Sequence, residues 1–166
     1  MKKIMALALC GVLAAAAFAL AKDYTKDLKS KNEEKRLEAA SALKDKAMSE
    51  GLTSEELDAL IAAAEDESEV VRVKIASAIA NNSKIAVAQE YAAMYGTHQE
   101  PFIGFLLWYS VYTTYGRVND IMGGDTPGKL PEEMKDARTN ALEAYKNILD
   151  PDRKERARPY CEELKP

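Results

Sequence analysis

Lys35-Arg36-x-x-Ala39-Ala40-x-Ala42-Leu43 returns as Val71-Arg72-x-x-Ile75-Ala76-x-Ala78-Ile79, with Arg36 and Arg72 thirty-six positions apart. A self-similar period of about 20–50 residues marks a supersecondary unit that stacks on its own copies, because one unit alone leaves an apolar face uncovered. The period therefore predicts stacked helical hairpins.

Working outward from this echo, almost every segment past Ala21 carries a helical signal, and none shows the sustained alternation of a half-buried strand. One helix is expected from about Asn32 to Met48, with Leu37, Ala40, Leu43 and Ala47 on one face and Gly51 at its end. Thr53-x-x-Glu56 is a capping box opening a second helix, striped by Leu57, Leu60, Ile61 and Ala64. Asp66-Glu67-Ser68 reads as a turn in which Ser68 caps the helix of Val70, Val71, Ile75, Ala78 and Ile79. Ser83 is placed to cap a helix that runs through Tyr95 to Gly96. Pro101 then opens another, to about Gly116. Asn119 to Leu130, with three glycines and a proline, reads as the longest loop. Pro131 begins a helix to about Leu149, and Asp150-Pro151-Asp152 turns into a last one through Leu164, which Pro159 interrupts.

An acidic turn, then Val-Arg, then paired small residues and Ala-Ile, resembles the second helix of a HEAT repeat, in particular the short variety of phycobilin-lyase-type proteins. Asp66, Val71, Arg72, Ala76, Ala78 and Ile79 carry the likeness, which covers about Asp27 to Asn82 and only faintly the C-terminal stretch. The resemblance implies a short right-handed α-solenoid-like array of antiparallel hairpins. By it, Arg36, Asp66 and Arg72 link neighbouring units, and the small residues let helices approach closely. HEAT-like arrays serve mainly as binding surfaces and scaffolds, so the likeness implies a fold and no activity. The expected organisation is one domain over 22–166: HEAT-like repeats at 22–83, an aromatic unit at 84–118, a loop at 119–130 and a C-terminal hairpin at 131–166.

The N-terminus has Lys2 and Lys3, an apolar run from Ile4 to Leu20, and small residues at Ala19 and Ala21. That is the pattern of a secretory signal peptide over 1–21, cleaved after Ala21 or, as a second site, after Ala17-Phe18-Ala19. An uncleaved anchor is the alternative, since the run approaches spanning length. Lipidation at Cys10 fits poorly, because Leu9 stands where a small residue belongs and few apolar residues precede it. An exported protein, periplasmic or secreted, is expected, with membrane contact only through an uncleaved leader or an acylated Cys10. Loss of two lysines with the leader moves the formal charge from -4 to -6. An acidic chain without a basic stripe lacks the electrostatic footprint of a nucleic-acid binder. Cys161 alone remains past the leader, so no internal disulfide is expected.

Phe102, Phe105, Trp108, Tyr109, Tyr112 and Tyr115 hold half of the twelve aromatic residues in one helical stretch. Trp108 falls where the period would place the repeat arginine, so this unit departs from the pattern. A helix apolar nearly all round is ordinarily a buried core element. Against that, the polar tips of three tyrosines and a tryptophan suit a binding groove, and Phe105, Trp108, Tyr109, Tyr112 and Tyr115 are its candidate residues. Contact with a membrane interface is the third reading.

Gly123-x-x-x-x-Gly128-Lys129 has the outline of a phosphate-binding loop, but Leu130 replaces the magnesium-binding hydroxyl and no strand precedes it. Asp120 and Asp125 lack calcium-loop spacing. His98 is the sole histidine, which removes multi-histidine zinc sites, and Glu55, Glu56, Glu132 and Glu133 sit in first helical turns where they favour the dipole. No catalytic residue, metal or cofactor is expected. The residues point to a non-enzymatic interaction or scaffolding module with a protein partner in the cell envelope; the alternative is a small-ligand or lipid carrier whose pocket wall is the helix at 101–115.

Overall fold

The computed structural model describes residues 23–121 and 132–165. These form eight helices and no strand: α1 (Tyr24–Asp27), α2 (Glu33–Ser49), α3 (Ser54–Ala62), α4 (Glu69–Ala80), α5 (Ile85–Tyr95), α6 (Pro101–Ile121), α7 (Glu132–Asn147) and α8 (Pro151–Glu163). The described residues are all-α, as the periodicity predicts, and no repeat or solenoid is detected among them. The leader expected over Met1–Ala21, with Cys10, and the glycine-bearing loop with Gly123, Gly128 and Lys129 lie outside the described residues.

Local chemistry sets most helix ends. Asn32 Oδ1 accepts from the Lys35 N–H at 3.3 Å to start α2. Thr53 and Glu56 form the expected reciprocal capping box at α3. Gly51, at φ 77°, turns the chain out of α2 and sits so close to Lys84 that a Cβ there would lie 2.5 Å from the lysine Cβ. Two expected caps are replaced by tertiary contacts. Ser68 occupies the N-cap position of α4 without a side-chain cap bond; its hydroxyl donates instead to Glu33 Oε1 at 2.7 Å, at the start of α2. Ser83 does not cap α5, whose N-cap residue is Lys84. Buried Asn82 serves that turn, its Oδ1 accepting from the N–H groups of Leu52 at 2.9 Å and Lys84 at 3.2 Å.

Several boundaries differ from the sequence reading. α1 has no counterpart in it, being a single turn with Asp23 Oδ1 accepting from the Lys26 N–H. α6 continues past Gly116 to Ile121, so the loop does not begin at Asn119. α7 stops at Asn147, leaving Leu149 91% exposed in the turn. Ala64 lies beyond the end of α3 yet is buried, and Val70, placed by sequence in the apolar set of α4, is 57% exposed.

The arginines of the echo do equivalent work. Arg36 and Arg72 each stand four residues after their helix's N-cap. Each sends Nη1 to the carbonyl six residues earlier, Ser30 at 3.0 Å and Asp66 at 2.7 Å. Arg36 also binds the Asp66 carboxylate twice, Nε to Oδ2 at 2.7 Å and Nη2 to Oδ1 at 3.1 Å, and reaches Glu67 Oε1 at 3.0 Å. Both side chains of the Arg36–Asp66 pair are 7% exposed. Such a bidentate pair fixes orientation as well as distance.

α6 is the central element, packing on α4, α5, α7 and α8. Phe102, Phe105, Leu106 and Leu107 are buried in its first turns. Its buried hydroxyls are answered internally: Ser110 Oγ donates to the Leu107 carbonyl at 2.7 Å, and Thr114 Oγ1 to the Asn82 carbonyl at 3.3 Å. At Gly104, a Cβ would lie 2.3 Å from the Tyr95 carbonyl oxygen, so this residue sets how closely α6 approaches the end of α5. α8 is clamped at its start by Arg153, which pairs with Glu65 at 2.9 Å and Glu100 at 2.6 Å.

Burial alone would raise the Asp66 pKa, but the Arg36 guanidinium and the Ser68 N–H outweigh it and hold the carboxyl below its ordinary 3.8. A depressed folded pKa contributes stability that is complete above the unfolded value and lost as pH falls through the folded one. Asp66→Ala, which strands a buried guanidinium, is expected to cost about 3 kcal/mol in urea unfolding. Glu67→Ala, removing a carboxylate side chain that is 84% exposed, should cost under about 1 kcal/mol. Asp66→Asn should flatten the acid limb of the stability–pH curve below about pH 4; an unaltered limb would mean that the ion pair adds nothing. Gly104→Ala is expected to lower stability by about 1–3 kcal/mol through the forced separation of α5 and α6, and an unchanged unfolding midpoint would contradict that close approach.

Candidate functional site

The aromatic residues of α6 divide into three environments. Phe105 is fully buried and Tyr109 is 5% exposed. Phe105 meets the Tyr145 ring of α7 at 5.6 Å, and Tyr109 meets the Tyr160 ring of α8 at 5.0 Å, both tilted. The Tyr109 hydroxyl donates to Glu163 Oε2. Burial, followed by that carboxylate, pushes the phenol pKa well above its ordinary value. Tyr112 and Tyr115 are partly buried against a second apolar cluster of Ala88, Val111 and Ala137, and the Tyr115 hydroxyl accepts from Gln89 Nε2 at 3.0 Å.

Trp108 packs on this second cluster as well as on the main core, with part of its surface left accessible. It is partly buried and contributes the aromatic wall of a cleft of about 370 Å³ between the 96–99 turn and α7. Met94, His98, Gln99, Asn140 and Glu143 line the rest. Gly96 lies beside the indole, where a Cβ would make ordinary contact with Nε1 at 3.9 Å, and it sits tighter against the Ala92 carbonyl, at 3.2 Å. The cleft therefore combines an indole face, a flexible thioether that is 56% exposed in Met94, and a rim of amide, imidazole and carboxylate groups. Such a set can hold an apolar side chain while hydrogen-bonding the polar backbone beside it.

Sequence reasoning singled out Trp108 but not its neighbours. His98 reads as an exposed loop residue, which it is, and nothing local marks it as facing a tryptophan. Asn140 and Glu143 lie three residues apart on α7, a spacing that puts them on one helix face without saying what that face meets. Only the packing of α7 on α6 brings them to Trp108.

Arg36 and Asp66 are spent on each other, and Arg72 on the Asp66 and Glu67 carbonyls. Cys161 is buried, and burial raises its thiol pKa, so it is poorly suited to react as a thiolate. Among the described residues no group of three His, Cys, Asp or Glu could hold a metal ion, and no helix is long and apolar enough to cross a membrane. Comparison with known proteins finds no family model that matches this chain, and no significant match among curated proteins or solved structures.

Proposed function

We propose that this chain is an exported, non-enzymatic helical module that binds a protein partner in the cell envelope and uses the Trp108 cleft as its anchor pocket. The observation that carries this reading is the division of the α6 aromatics. Phe105 and Tyr109 are absorbed by other rings, whereas Trp108 keeps accessible surface in a cleft with a polar rim. Tryptophan is enriched among binding hot spots, and a cleft of this size accepts side chains rather than a domain.

The architecture is in keeping with such a role. The helix pair α2 and α4 forms two HEAT-like units on this proposal. Its support is the identical placement of Arg36 and Arg72 and the use of Asp66 by both. Export rests on the leader pattern over Met1–Ala21. Intact-mass measurement of the protein recovered from the envelope fraction of a bacterial host should show a chain beginning at Lys22, and retention of Met1–Ala21 would replace export of a cleaved protein with anchoring.

A photo-crosslinking side chain at Gln99, on the cleft rim, should capture a discrete envelope protein. Trp108→Ala should reduce that capture at least tenfold with little change in helicity, since hot-spot truncation costs about 2 kcal/mol or more of binding. An empty capture lane, or one that Trp108→Ala leaves unchanged, overturns the proposal.

A further inference from the structure

A second groove, sharing no lining residue with the Trp108 cleft, runs between α4 and α8. It measures about 340 Å³ and is walled by Val73, Ala76, Pro159 and Tyr160, with Arg156 and Glu155 on the α8 side. The walls are almost wholly apolar, and Val73 is 50% exposed there. Apolar surface of this kind in a concave site gains from occupation.

Arg156 gives the groove its polarity. Its guanidinium lies over the Phe102 ring at 4.8 Å, and its Nη1 is buried without a hydrogen-bond acceptor. The acids nearby are committed elsewhere. Glu65 pairs with Arg153, the Asp150 carboxylate accepts from the Arg153 N–H at the start of α8, and Glu155 pairs with Arg158. Arg72, which also faces Arg156, donates to the Asp66 and Glu67 carbonyls and adds a second positive charge. Arg156 thus makes no ion pair with a described residue. Nη1 is enclosed, while the side chain as a whole is partly exposed along the groove wall and its other guanidinium N–H groups bond no described residue. A guanidinium so placed selects a planar anionic acceptor, and carboxylate matches its fork.

We infer that the α4–α8 groove binds an aliphatic carboxylate, its hydrocarbon chain lying along Val73, Ala76, Pro159 and Tyr160 and its carboxylate hydrogen-bonded to Arg156. A peptide fits these walls less well, because Val73, Ala76 and Pro159 offer no side-chain partner for backbone amides that would be buried beside them. The site is independent of the Trp108 cleft, so failure of either leaves the other standing.

The test is titration of decanoate, below its micelle concentration, into the full chain carrying methyl labels on alanine and valine. Saturable shifts are expected at the Val73 and Ala76 methyls, with decanol, which lacks the anion, and acetate, which lacks the chain, each binding at least tenfold more weakly. Arg156→Gln should weaken decanoate about tenfold or more, the loss expected of a charge-assisted hydrogen bond, and bring its affinity down to that of decanol. Val73→Trp, at an exposed position, should fill the groove and abolish the shifts with the unfolding midpoint unchanged, which keeps the test decisive should Arg156→Gln fail to fold. No saturable shift at Val73 and Ala76, equal affinity for decanol and decanoate, or decanoate binding that survives Val73→Trp would each overturn the inference.

Discussion

A guanidinium whose side chain is 7% exposed costs the fold dearly unless its donors are answered, and Arg36 is answered from three places. Ser30 lies just before its own helix, and Asp66 and Glu67 come from the turn that precedes α4. Meeting those demands fixes where α2 starts and where the 66–68 turn must sit. Asp66 then works in both directions: its carboxylate holds Arg36 while its carbonyl accepts from Arg72. One residue thus ties the start of α2 to the start of α4, and the small side chains of Ala39, Ala40, Ala76 and Ala78, all buried, suit the close contact of these helices. Ser68 adds a bond in the same sense, giving its hydroxyl to Glu33 rather than to its own helix.

Counting from helix starts rather than along the chain changes what the echo means. Arg36 and Arg72 are each four residues past an N-cap. A step of thirty-six from Arg72 lands on Trp108, but the residue four past Glu100, which immediately precedes α6 and accepts from the Gly104 N–H, is Gly104. No arginine could stand there, because even a Cβ would meet the Tyr95 carbonyl at 2.3 Å. At α8 the equivalent position is Lys154, set over the Tyr145 ring at 5.4 Å, while Arg156 lies two residues further on and over Phe102. The register lapses in the C-terminal half because α6 is packed on several sides and its first turn has been given to backbone contact with α5.

This also accounts for what was legible in the sequence. Capping by Asn32 and the box of Thr53 and Glu56 depend on neighbours three residues away, so they could be read directly, and so could the apolar stripe of Leu43, Ala47, Leu57 and Leu60. Ser68 holds the N-cap position that the sequence marks, but a distant acceptor, Glu33, takes its hydroxyl, and Ser83 falls one residue short of the N-cap, Lys84; serine's local fitness for a cap registers neither outcome. The aromatic cluster was visible, but its partition was not. Phe105, Tyr109 and Trp108 are chemically similar on one helix, and only the arrival of Tyr145, Tyr160 and the 96–99 turn decides which is enclosed.

Arg36 and Arg156 show two physical ways of holding a cation against a protein core. Carboxylates answer the first, and its donors are consumed in doing so. The second is held by the face of Phe102, a contact that stabilises positive charge through the ring quadrupole without accepting an N–H bond. In-plane donors survive such a contact, so Nη1 of Arg156 remains without an acceptor where the Nη1 groups of Arg36 and Arg72 each have a carbonyl. The cause lies one helical turn earlier, since Arg153 takes Glu65, a carboxylate whose charge acts on Arg156. Clamping α8 in place through Arg153 is therefore what leaves Arg156 open beside an apolar groove.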